Sequence, residues 1–171
     1  SQSSFNQPIG DWDVSNVTDM VEMFYFASAF NQPIGDWDVS SVTNMHQMFR
    51  EANAFNQPLG GWDVSGVFEM LGMFAYASSF NQPIENWDVS SAFVMSDMFN
   101  GATSFNQPVG NWDVSSVIWM ENMFRNSPSF NQDISSWNVS NVEYCNSFCY
   151  NTPNWTLPKP NFTNCSDDIG C

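Results

Sequence analysis

The sequence predicts an α/β solenoid of six 25-residue turns, each a short parallel strand plus a short helix, closed by a disulfide-bonded C-terminal cap. Three observations carry this. Phe5, Phe30, Phe55, Phe80, Phe105 and Phe130 each open the tripeptide FNQ at a fixed spacing, with a Trp seven residues on. Such a period marks stacked repeats whose faces pack only on their neighbours. Within each repeat the apolar spacing changes from two residues to three, and the four cysteines all fall within the last 27 residues.

The first element is the strand. Ile9, Trp12, Val14 and Val17 follow the pattern I-x-x-W-x-V-x-x-V, which matches leucine-rich-repeat spacing except that Val replaces the terminal Asn. Trp12 and Val14 are two apart and point to one side of an extended chain, with Asp11, Asp13 and Ser15 on the other. The spacing predicts a strand near 11–14, repeated six times in a parallel sheet.

The second element is the helix. Val17, Met20, Met23, Phe24 and Ala27 fall on one helical stripe, and Ser15 stands where an N-cap accepts a free N–H. Ser40, Ser65, Ser90, Ser115 and Ser140 repeat that position. The return corner is Phe-Asn-Gln-Pro, in which Pro8 fixes φ. The invariant Asn6, Asn31, Asn56, Asn81, Asn106 and Asn131 are placed to bridge to the backbone of the next turn.

The third element is the end. Residues 1–150 read as the repeat array and 151–171 as a Cys- and Pro-rich cap of the same domain. Cys145 and Cys149 replace a core Met and a core Phe, and with Cys165 and Cys171 they predict two disulfides whose pairing is open among three connectivities. The only histidine, His46, is far away in sequence, which argues against a zinc site. No comparable cap precedes Phe5, so the first turn either continues a longer array or meets another molecule.

Composition limits the function. With 43% apolar and 16% aromatic residues the chain can build a core despite its net charge of −15. Three basic residues against 18 acidic ones repel a phosphate backbone, so nucleic acid is not an expected partner. No apolar run reaches the roughly 20 residues of a membrane helix. Sequons at Asn16, Asn138, Asn154 and Asn161, the last two clustered with a fifth beside the cysteines, predict a secreted, glycosylated protein. A further sequon at Asn164 is hindered by the adjacent Cys165.

The segment FNQPIGDWDVSNVTDM and the following MF pair resemble the BspA-like leucine-rich-repeat surface proteins, a group that includes mycoplasma surface lipoproteins with tandem 25-residue repeats. The similarity covers residues 1–150. It implies an extracellular or cell-surface, non-enzymatic protein that works in adhesion and in binding host or matrix components, and it carries no residue-level binding site.

Two files of residues are candidates for function. Asp13, Asp38, Asp63, Asp88 and Asp113 recur one per turn, ending at Asn138. Carboxylates about 4.8 Å apart repel one another unless compensated. Hydrogen bonds from neighbouring Ser or backbone groups, bridging calcium ions and a basic partner are the three open compensations. The second file, Phe68, Phe93, Val94, Ile118 and Trp119, forms an outward apolar stripe on the predicted helices and reads as a protein contact surface, or else as side chains tucked between turns. Catalysis lacks a signature, since one His, no GxSxG and no phosphate loop form no converging constellation. The expected partner is a protein or a surface glycan, or the chain itself. Adhesion or protein binding through the faces competes with assembly into an extracellular filament or coat, through the apolar stripe or the uncapped N-terminal end.

Overall fold

The computed structural model describes residues 2–165 and 168–171. The described chain winds into 25-residue coils stacked in register, and backbone hydrogen bonds join each coil to the next. The amides of Met20, Glu22, Phe24 and Phe26 donate to the carbonyls of Asn44, His46, Met48 and Arg50 at 2.8–2.9 Å, and the same offset of 24 residues recurs down the stack.

The α/β assignment is overturned. Among the described residues the only helical element is one 3-10 turn, Gln2–Ser4, and the only strand-like pairing is a column of isolated parallel bridges: Asp19–Asn44, Asn44–Glu69, Glu69–Val94, Val94–Trp119 and Trp119–Tyr144. Residues 11–14, read as a strand, instead begin within a tight turn closed by Trp12 N–H to the Ile9 carbonyl. The bridges lie where the helix was expected. Ser15 caps no helix; it closes a local turn with Asp13.

The reason lies in the backbone. Two positions in every coil have positive φ: Glu22, Gln47, Gly72, Asp97, Asn122 and Ser147 in one row, and Phe26, Glu51, Tyr76, Gly101, Asn126 and Asn151 in the other. A right-handed helix cannot pass through such residues. Alternate amides reach the next coil, and those between close four-residue turns, as in Met23 to Met20, Tyr25 to Glu22 and Ala27 to Phe24. A chain of such turns places inward side chains three apart, as a helix does. The apolar period therefore could not separate the two.

The core is built from files of rings. Phe24, Phe49, Phe74, Phe99 and Phe124 stack at 5.4–5.8 Å. A parallel file of Phe30, Phe55, Phe80, Phe105 and Phe130 runs at 5.8–6.2 Å. The two files touch within each coil, as at Phe74–Phe80, 4.0 Å apart. All these rings are fully buried, and burying each contributes roughly 2–3 kcal/mol.

Polar ladders lock the register. The indole N–H of Trp37, Trp62, Trp87, Trp112 and Trp137 each donates to a carbonyl of the preceding coil, 28 residues back, at 3.0–3.1 Å. Each corner Asn from Asn6 to Asn106 accepts from the next coil's Asn N–H; Asn56 Oδ1, for example, takes Asn81 N–H and Gln82 Nε2, both at 3.0 Å.

The corner repeats once more than the FNQ count indicates. Trp155-Thr156-Leu157-Pro158 stands 25 residues after Phe130-Asn131-Gln132-Asp133. Thr156 N–H bonds Asn131 Oδ1 at 2.8 Å, and Trp155 meets Phe130 edge-on at 4.7 Å and 87°. A ring set edge-on ends the stacked file. Beyond it, Ser147 and Cys149 N–H donate to Asp168 and Ile169 carbonyls, and the disulfides pair Cys145 with Cys165 and Cys149 with Cys171.

Candidate functional site

The aspartate file sits on an exposed edge of the coils, and each member is held by its own coil. The Ser two residues on donates its N–H to the carboxylate Oδ1 at 3.0–3.1 Å for Asp13, Asp38, Asp63, Asp88 and Asp113. The Ser hydroxyl adds a bond of 2.6 Å at Asp13, Asp38 and Asp63. These donors hold the five carboxyls below the usual range, the hydroxyl bond being the larger cause and the N–H bond the next. Neighbouring carboxylates oppose the shift at Asp38 and Asp88, more weakly. Serine thus compensates the file from within. No three His, Cys, Asp or Glu side chains among the described residues converge as a metal cage.

Asn138 continues the row with the same turn, accepting Ser140 N–H. Asp133, which replaces the corner proline, forms an equivalent turn with Ser135 and is also held low, first by the Ser135 hydroxyl. The D-x-S spacing was the available signal for it.

The aromatic file occupies the bridge face. Phe68 stacks on Phe93 at 5.6 Å and 8°, and Trp119 on Tyr144 at 5.8 Å and 6°. Between the two pairs the order breaks: Phe93 and Trp119 are tilted by 59° at 6.0 Å. A shallow groove of about 440 Å³ opens there, lined by Leu71, Phe93, Val94 and Trp119 together with Glu69, Ser96, Asp97, Glu121 and Asn122.

Of the predicted contact residues, Phe93, Val94 and Trp119 therefore line one groove. Phe68 backs Phe93 and is 38% exposed, Ile118 lies outside the groove and is half-buried, and Val94 is almost wholly buried at 7%. Reading these positions as helical hid the polar rim. In extended chain, residues two apart share a side, and Glu69–Leu71, Val94–Ser96 and Trp119–Glu121 are such pairs.

The rim is acidic. Glu121 accepts the Ser96 hydroxyl at 2.7 Å, and Asp97 accepts Asn100 Nδ2 at 2.7 Å. Burial pushes the Glu69 carboxyl up, with His46 partly countering. Each basic side chain of the chain is engaged elsewhere: Arg50 lies over Tyr76 at 5.4 Å, Arg125 over Tyr150 at 5.3 Å and Lys159 over Trp155 at 4.9 Å.

The sequon residues Asn16, Asn138, Asn154 and Asn161 are all exposed. Asn154 Nδ2 donates to the Pro128 carbonyl. Ser166 of the Asn164 sequon lies outside the described residues, and Asn164 Nδ2 donates to the Ser140 carbonyl. Among the described residues no helix is long and apolar enough to cross a membrane.

The family model described as "Mycoplasma protein of unknown function, DUF285" matches residues 1–69 and 58–161, and the chain belongs to that family. No curated protein and no solved structure matches the chain.

Proposed function

We propose that this member of the mycoplasma repeat family is a non-enzymatic surface protein that acts outside the cell in adhesion or protein–protein binding, through the bridge face of its coils. The observation that carries the reading is the broken aromatic ladder Phe68–Phe93–Trp119–Tyr144, left half-exposed outside the buried phenylalanine files. Partly exposed aromatics on a rigid scaffold are the usual anchors of a contact surface. Two disulfides support an oxidising location. The resemblance to BspA-like surface proteins supports adhesion over catalysis, with a protein or surface glycan as the partner.

The test is adsorption of the purified protein to immobilised matrix proteins and glycans. Saturable binding that is lost in Phe93→Ala/Trp119→Ala, with the melting temperature nearly unchanged, supports the reading. Equal binding by that variant removes the bridge face from it.

One observation favours a second reading, assembly into a filament or coat. Phe68 and Tyr144 are 38% and 42% exposed, so the apolar stripe offers a surface that another copy of the chain could cover. Mass by light scattering separates the two: a monomer at working concentration supports binding, and polymers support assembly.

A further inference from the structure

We infer that the groove between Phe93 and Trp119 binds an extended basic segment of a partner protein, seating an arginine or lysine side chain against the Trp119 ring and between the carboxylates of Glu69, Asp97 and Glu121. This deepens the binding reading above and rests on it.

Charge complementarity selects the occupant. Three carboxylates rim an apolar floor, and no Lys or Arg lines the groove. The chain carries only three basic residues against 18 acidic ones, and all three cations already lie on aromatic rings, at 4.9–5.4 Å. Aromatic faces flanked by acceptors thus hold every cation this chain has, while the Phe93–Trp119 pair offers the same chemistry with none supplied. A cation over a Trp face contributes roughly 0.5–2 kcal/mol, depending on desolvation, and charge-assisted bonds to carboxylate add to it. A second copy is a poor occupant, because two chains of net charge −15 repel.

Geometry selects a peptide. The rim residues come from three successive coils, around Glu69, Val94 and Trp119. Coils about 4.8 Å apart give a span of roughly 10 Å, the length of about three residues of extended chain. The 59° tilt between Phe93 and Trp119 opens the ladder at the middle of that span, where one long side chain fits and a flat surface does not.

The test uses a fluorescent (Gly-Arg)4 peptide and reads anisotropy in about 0.15 M salt, where long-range attraction is screened. Expected is saturable binding that weakens at least tenfold in Trp119→Ala and in Glu69→Gln/Glu121→Gln. It changes less than twofold in Asp38→Asn/Asp63→Asn, which removes the same charge from the aspartate edge. The glutamine pair removes charge with little change of shape, so it reads the site even if Trp119→Ala loosens the coil. Equal weakening by the two double variants reduces the effect to bulk charge and overturns the inference. Equal binding of (Gly-Leu)4, or no binding of (Gly-Arg)4, overturns it as well. If adsorption to matrix or glycan persists while (Gly-Arg)4 fails, this inference falls and the adhesion reading stands.

Discussion

Asn56 shows why one amide per coil is invariant. Its Oδ1 accepts from Asn81 N–H and Gln82 Nε2, and its own N–H is taken by Asn31 Oδ1. Asn56→Ala leaves Asn81 N–H without its partner in a half-buried corner, while Gln82 Nε2 keeps only the Asn56 backbone carbonyl, a cost of about 1–3 kcal/mol. Denaturant unfolding should show that loss with an unchanged slope. The role was legible in the sequence, because a residue kept in six copies at a turn must satisfy something periodic. The Asp–Ser pair was legible only as a charge problem. Its solution needed the i, i+2 turn geometry, which burial patterns do not report. Since the folded carboxyls are held below the free value, their contribution is present above about pH 4 and is lost as pH falls through the lower folded values. The melting temperature should therefore drop on acidification below pH 4, and less steeply in a variant with Ser40, Ser65, Ser90 and Ser115 changed to alanine.

Within a coil, the decisive segment runs from the bridge residue to the second positive-φ residue. Glu22 and Phe26, or Gln47 and Glu51, carry side chains that disfavour left-handed backbone. Neither position is marked by Gly except at Gly72 and Gly101. A Gly at every such position would have flagged the turns; Glu, Gln, Phe and Tyr concealed them, and the three-residue period then reads as a helix. The coil-to-coil bonds from these same residues, such as Glu51 N–H to the Ala75 carbonyl and Tyr76 N–H to the Asn100 carbonyl, hold the conformation in place. Inward, the ring files leave no slack. Phe99 stacks on Phe74, Phe105 and Phe124 at 5.8, 4.0 and 5.6 Å, so Phe99→Ala should cost about 3–5 kcal/mol, read by calorimetry. The groove was half legible for the same reason: its apolar members stood out as a change of composition along one row, and its acidic members lay two residues away, on the side a helix would turn elsewhere.

Across the stack, stability depends on covering the last coil. Trp155 and Phe148 close the ring files edge-on, the 168–169 segment supplies the carbonyls a further coil would supply, and two disulfides tie it down across separations of 20 and 22 residues. A closed loop of that length constrains the unfolded chain by roughly 3 kcal/mol. Reduction should lower the melting temperature, and hydrogen exchange should first rise around Cys145–Tyr150 and spread toward lower numbers. The 25-residue translation was visible in the sequence because every coil repeats the same burial problem. The absence of regular helix and strand among the described residues was not, because nothing in the apolar spacing distinguishes a helix from successive tight turns.

The groove and both files exist only if the coils stand in register with a 24-residue hydrogen-bond offset. Scalar couplings across hydrogen bonds, measured by NMR from the amide nitrogens of Met70, Gly72, Phe74 and Tyr76, test this directly. They should connect to the carbonyl carbons of Val94, Ser96, Met98 and Asn100. Couplings to carbonyls four residues earlier in the same segment would instead restore a helix and contradict the stacked-turn architecture.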